Sequence, residues 1–136
     1  MALKIAHRTQ EGIDILDLTG RLTLGEEDLL LRNEIDKAIT AGNIRLVLNL
    51  GEVTQIDTTG LSTLSYAQAE LRQAGGGLAL ANLRLIHMKL LVVAKMEAEF
   101  EVFREVQDAI NSFFPDRTIQ RYDILEFVES MRQKQT

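Results

Sequence analysis

The chain of 136 residues contains no cysteine and no tryptophan, one proline and two histidines. Without cysteine, disulfide frameworks, thiol catalysis and thiolate zinc sites are excluded. Aromatic residues make up 5% of the chain, too few for the stacking platforms that hold single-stranded nucleic acid. Basic residues are outnumbered, 15 against 20 acidic ones, leaving a net charge of −5. That charge repels nucleic acid and anionic lipid and makes both poor partners. No apolar run is long enough to cross a bilayer, so no direct membrane insertion is expected. The segment Met1-Ala-Leu-Lys-Ile-Ala-His-Arg8 has no signal-peptide core, and a cytoplasmic protein is the expectation. What is present is a hydrophobic share of 46% beside 26% charged residues, the balance of one globular domain able to bury a core.

The hydrophobic pattern alternates between two periods. Leu3 to Arg8 and Ile13 to Thr19 alternate in the strand manner around a turn at Glu11-Gly12, which predicts a hairpin ended by Gly20. Thr23 and Glu26 stand three apart, as in a capping box, and Glu26, Glu27 and Asp28 suit the first turn of a helix. Leu31, Ile35, Ala38 and Ile39 continue that helix to a stop at Gly42. Ile44 to Leu50 is almost continuously apolar, as a strand buried on both faces would be. Gly60, Leu64, Ala67 and Leu71 line a second helix closed by Gly75. Leu78 to Asn82, Leu85 to Val93, Phe100 to Phe103, and Val106 with Ile110 and Phe113 read in turn as strand, helix, strand and helix, the last stopped at Pro115-Asp116.

The order β β α β α β α β α predicts an α/β domain with a mixed, mostly parallel sheet flanked by helices, over residues 1–115. Residues 116–136 form a C-terminal helical extension, in which Ile124, Leu125, Val128 and Met131 make an apolar stripe. Two uses of the stripe are open: packing back on the domain, or contact with a partner or a second copy in a homodimer. The acidic Asp123, Glu126 and Glu129 speak against membrane binding.

No catalytic constellation is visible. His7 and His87 sit in a strand and a helix without neighbouring carboxylate motifs, so no metal, cofactor or catalytic residue is expected. Gly75-Gly76-Gly77 follows a helix, precedes a strand and is followed by Leu78 rather than Lys-Ser or Lys-Thr. It reads as a helix stop and a tight turn, not a phosphate loop.

One segment is informative: Val53-Thr54-Gln55-Ile56-Asp57-Thr58-Thr59-Gly60-Leu61, joining strand to helix. Asp57 or Thr58 can cap the helix. Gly60 in the first turn is poor for helix propensity, and implies close approach of a neighbouring backbone or a partner. The threonines are capping residues alone, or they carry a phosphorylation switch. A phosphate at a helix N-terminus meets a favourable dipole and adds about −1.5 to −2 of charge at the surface.

From about Ile13 to Phe114 the sequence resembles the STAS domain, the fold of bacterial anti-sigma factor antagonists. Gly20-Arg-Leu22, Leu46-Val-Leu-Asn-Leu50, Ile56-Asp-Thr-Thr-Gly-Leu61, Gly76-Gly-Leu-Ala-Leu-Ala-Asn82 and Phe100-Glu-Val-Phe103 carry the resemblance. It implies a non-enzymatic regulatory module. In the family the first hydroxyl residue of an Asp-Ser-Ser-Gly motif is phosphorylated by a partner that is both serine/threonine kinase and anti-sigma factor, and a phosphatase resets the switch. Here that position is Thr58, with Thr59 as alternative acceptor. Asp57, Gly60, Gln55 and Thr23 would belong to the switch loop and docking surface. Asp57 would orient the hydroxyl or cap the helix. The sequence departs from the family pattern in having Thr58 for Ser, Thr23 where many members have Asp, and Lys95-Met96 for a frequent Gly-Leu pair. STAS domains also serve in stress-signalling scaffolds and in lipid or anion transport assemblies, where Thr58 would be unmodified.

Overall fold

Strand β1 (Lys4–Gln10) and strand β2 (Ile13–Leu22) form the expected hairpin, antiparallel from Lys4 opposite Thr19 to Gln10 opposite Ile13. The turn places Glu11 and Gly12 at φ 55° and 80°, the left-handed region that favours glycine. Helix α1 (Glu26–Thr40), strand β3 (Arg45–Ile56), helix α2 (Thr58–Gln73), strand β4 (Gly77–Ala81), helix α3 (Leu85–Val93), strand β5 (Glu101–Phe103), helix α4 (Val106–Asn111) and helix α5 (Ile124–Lys134) follow. The computed structural model describes residues 2–134. The side chains of Glu26, Glu27 and Asp28 lie outside the described residues, and with them the expected Thr23–Glu26 capping box and acidic first turn.

The sheet has the order β1-β2-β3-β4-β5, with every pair after the hairpin parallel. Each crossover therefore steps to the next strand in the same direction. Right-handed crossovers stepping one way place their helices on one face of the sheet. The core divides accordingly. Leu16, Leu18, Leu22, Leu46, Leu48, Leu50, Leu78, Leu80 and Val102 pack with α1, α2 and α3 residues such as Leu31, Ile35, Leu64 and Leu91. On the other face Ile13, Ile15, Val47, Ala79, Ala81 and Phe103 meet Ala109 and Ile110 of the short α4. Beyond that helix the second face turns polar: Asn49 Nδ2 donates to Asp17 Oδ1 at 2.8 Å, and Asn82 Nδ2 to Asn49 Oδ1 at 2.9 Å. Arg8 Nε adds an ion pair to Asp17 Oδ2 at 2.7 Å.

Two strands are longer than their patterns suggest. β2 passes through Gly20, at φ 105°, instead of ending there. β3 continues to Ile56 instead of stopping at Leu50. The pairing Asp17–Asn49, Thr19–Glu52, Gly20–Val53, Arg21–Gln55, Leu22–Ile56 shows why. At two places β3 inserts an extra residue against β2, a bulge that rotates the strand. Leu50, Val53 and Ile56 are buried at a spacing of three, which hides the strand from a period-two search. β5 is also shorter than predicted and starts at Glu101.

After α4 the chain returns to the sheet, where Tyr122 N–H donates to Val102 O at 2.8 Å. Helix α5 then lies against α3. Ile124 and Val128 are 3% and 1% exposed, whereas Leu125 is 37% exposed. Of the two uses open to the apolar stripe, packing back accounts for Ile124 and Val128.

Candidate functional site

The segment singled out in the sequence is scarcely a loop. Gln55 and Ile56 belong to β3, Thr58 to α2, and Asp57 alone lies between. Asp57 is the N-cap of α2, with extended backbone at φ −107°, ψ −174°. Its Oδ1 accepts the Gly60 N–H at 2.8 Å, the cap bond that a free helix N-terminus requires. Its Oδ2 accepts the Leu24 N–H at 2.9 Å, from the β2–α1 connection. Its own N–H points to Leu22 O at 3.4 Å. One residue thus joins β2, the β2–α1 connection and α2. Burial works against its charge, but the N–H donors of Leu24, Gly60 and Thr59 outweigh it and hold the Asp57 carboxyl below the usual carboxylate range.

Gly60 is buried at the third position of α2, and an added Cβ would lie 2.2 Å from Leu22 O and 3.0 Å from Ile56 Cγ2. The close approach inferred from its poor helix propensity is therefore to the backbone at the end of β2. Thr54 Oγ1 donates to Gly20 O at 3.2 Å and ties the bulged part of β3 to β2. Between those two bonds, the connection carrying half-buried Thr23 and exposed Leu24 is anchored at both ends.

On this support Thr58 is exposed and Thr59 half-buried. Ser62 Oγ donates to Thr58 O and Thr63 Oγ1 to Thr59 O, each at 3.1 Å, so the hydroxyls one turn on close back onto the helix. Gln55 is exposed on β3 beside the site.

The sequence reading missed the apolar surroundings. Leu24, bonded through its N–H to Asp57, is 74% exposed. Thr54, Gln55 and Ile56 form one wall of an open groove of about 350 Å³, whose other wall is Ile86, His87, Lys89, Leu90 and Val93 of α3. Ile86 and Val93 are 67% and 71% exposed. Helix α3 carries apolar residues on every side, with Lys89 among them, so no amphipathic stripe marks which of its residues remain outside. His87 is buried, and its Nδ1 has no hydrogen-bond partner among the described residues. Burial, then the nearby Arg84 charge, push its pKa down.

His7 lies elsewhere, with Nε2 3.3 Å from Oδ2 of the buried Asp14. Among the described residues, no three His, Asp or Glu side chains gather into a set that could hold a metal ion. The Gly75–Gly77 run is a helix stop: Gly76 N–H donates to Leu71 O at 2.8 Å, Gly75 has φ 92°, and an added Cβ on Gly76 would lie 1.8 Å from Ile44 O. No helix among the described residues is long and apolar enough to cross a membrane.

Several solved structures share this fold. A candidate anti-sigma factor antagonist of Thermotoga maritima superposes with a TM-score of 0.74 at 17% identity, over 80% of this chain and 93% of that one. The Bacillus cell-fate determinant SpoIIAA in its phosphorylated form gives 0.61 at 18% identity, over 82% and 98%. The murine anion transporter solute carrier 26 family member A9 gives 0.63 at 20% identity, over 76% of this chain but 18% of the transporter. No curated protein matches the chain in sequence. The STAS domain model matches residues 4–109, a span that includes all five strands and the Asp57–Gly60 junction, and the chain belongs to the STAS domain family.

Proposed function

We propose that this chain is a regulatory protein-binding module, an anti-sigma factor antagonist that exchanges partners according to phosphorylation of Thr58. The unmodified form captures an anti-sigma factor that is also a serine/threonine kinase, and a phosphatase restores it. The module has no catalytic role and needs no cofactor. The observation that carries this reading is the junction itself: an exposed hydroxyl at the first position of a helix, on a rigid support, next to the exposed Leu24. Thr58 is the acceptor in preference to Thr59, which is half-buried. Docking involves Asp57, Gly60, Gln55 and Thr23 in different ways. Gln55 offers an exposed side chain, while Asp57 and Gly60 hold the surface in shape.

The geometry also supports a way for such a phosphate to act. Asp57 already occupies the Gly60 N–H, so a phosphate on Thr58 does not find that donor free. It sits beside a carboxylate held in its charged form. The phosphate therefore projects into water, where it is tolerated, and is costly under a docked partner, where it would lose its water without gaining donors. Control is local charge and desolvation, and the domain keeps its shape.

The test is incubation with ATP and the anti-sigma factor kinase that co-purifies with this protein, read by intact mass. One phosphate is expected, absent in Thr58→Ala. Thr58→Glu should leave circular dichroism unchanged and weaken the kinase complex by about 1.4 kcal/mol or more, a tenfold effect. Full labelling of Thr58→Ala moves the acceptor to Thr59, and labelling of neither residue ends the switch. The similarity to the transporter's domain supports a second reading, a STAS subunit of a transport or stress-signalling assembly in which Thr58 stays unmodified. A Thr58→Glu variant that binds its partner as tightly as the parent favours that reading.

A further inference from the structure

The groove beside the junction has a chemical character the rest of the chain does not share. No Asp or Glu lines it, although the chain carries 20 of them, and Lys89 is the basic side chain on its α3 wall. Ile86 and Val93 stand seven apart on α3, and Lys89 and Leu90 lie between them at helical spacing. These four residues therefore share one face of α3, two turns long, and together they line the groove opposite Thr54, Gln55 and Ile56. A concave apolar floor with a lysine on its rim is locally complementary to an apolar ligand edged with negative charge.

We infer that this groove is a docking site for an acidic amphipathic helix of a partner protein, whose apolar side chains seat between Ile56 and the Ile86–Val93 face while its carboxylates meet Lys89. This is helix-in-groove recognition, with anchors spaced along one helical face. A protein helix is favoured over an anionic lipid surface because the apolar groups line a concavity, which a flat bilayer does not enter. The inference rests on the partner-binding reading above and adds the partner's chemistry. Ile56 and Thr58 are two residues apart, so their Cα atoms are at most about 7.6 Å from each other. That is within about one Debye length at physiological salt. A phosphate on Thr58 would therefore oppose an acidic occupant of the groove directly.

The experiment is selection of a phage-displayed library of helical peptides about five turns long against the full chain. The best-enriched peptide is then measured by fluorescence anisotropy and placed by amide chemical-shift mapping. The expected peptides carry Leu, Ile or Phe at helical spacing with Asp and Glu beside them. Their shifts should fall on Thr54–Ile56 and on α3. Affinity should drop about tenfold or more in Ile86→Asp and in Lys89→Glu. Both positions are exposed, and circular dichroism checks that each variant is folded. Enriched peptides without an acidic bias, peptides that map elsewhere, or no enrichment at all would overturn the proposal. So would uptake onto phosphatidylglycerol-containing vesicles that Lys89→Glu abolishes, if no peptide is enriched. Thr58→Ala should bind the peptide like the parent. If Thr58→Glu does so too, the groove stands and the phosphorylation switch loses its electrostatic link, so the two readings fail separately.

Discussion

Replacing Gly60 with alanine sets two well-defined effects against each other. Helix propensity favours the change, because glycine inside a helix is about 1 kcal/mol worse than alanine. Packing opposes it. The new Cβ would sit 2.2 Å from Leu22 O, a backbone atom, and 3.0 Å from Ile56 Cγ2. Ordinary contact begins near 3.4 Å, so α2 must withdraw from the end of β2 by about 1 Å. That movement strains the bonds that meet at Asp57: Leu24 N–H to Oδ2 at 2.9 Å and Asp57 N–H to Leu22 O at 3.4 Å. Overpacking of this kind costs about 1–3 kcal/mol, and weakening a hydrogen bond to a charged group costs about 1.5–3 kcal/mol at most. After subtracting the gain in propensity, Gly60→Ala should destabilise the domain by roughly 2–4 kcal/mol. Urea unfolding at constant m-value measures it, and the melting temperature should fall by roughly 3–4 °C per kcal/mol for a chain of this length. Gly77→Ala is the internal control, because its Cβ would lie 3.6 Å from Phe113 Cε1, an ordinary contact. It should stay within about 0.5 kcal/mol of the parent. A Gly60→Ala protein as stable as the parent, or more so, would refute the close-approach argument and leave propensity as the larger effect.

Three further outcomes follow from the same geometry. Asp57→Asn keeps the oxygen facing Gly60 but replaces the acceptor of Leu24 N–H by a donor, and should cost about 1–2 kcal/mol at pH 7. Because the folded-state pKa of Asp57 is lowered, its contribution is present above the unfolded value of about 3.9 and is lost as pH falls through the folded value. Parent and variant should therefore converge in urea stability on acidification below about pH 4, and a constant gap would count against the assignment. For His87 the lowered pKa means that only the unfolded chain gains a proton just below about pH 6.5, so stability falls there as pH falls. His87→Phe should flatten the melting temperature over that range. On α5, Ile124→Ala should cost about 2–4 kcal/mol and Leu125→Ala less than about 0.5 kcal/mol, a contrast that equal losses would contradict.

Periodicity by itself determined the α/β order, the hairpin and the helix stops. Each depends on how one segment buries its own side chains, and that is written in its own spacing. The chemistry of the junction was legible for the same local reason: an acidic cap three residues before a glycine, with two threonines between. Tertiary structure decided what those residues meet. Asp57 reaches Leu24 across a gap of 33 residues, and Gly60 abuts Leu22 because β2 and β3 are neighbours in the sheet. No local pattern encodes either contact. The end of β3 escaped the pattern because two bulges changed the burial period from two to three. Helix α3 escaped it differently: a segment apolar on every side records that it is buried, but not where the cover ends. Only the placement of α5 on one side of α3 and of β3 on the other left Ile86 and Val93 lining an open groove. Burial period belongs to a segment, whereas exposure belongs to whatever the rest of the chain fails to cover.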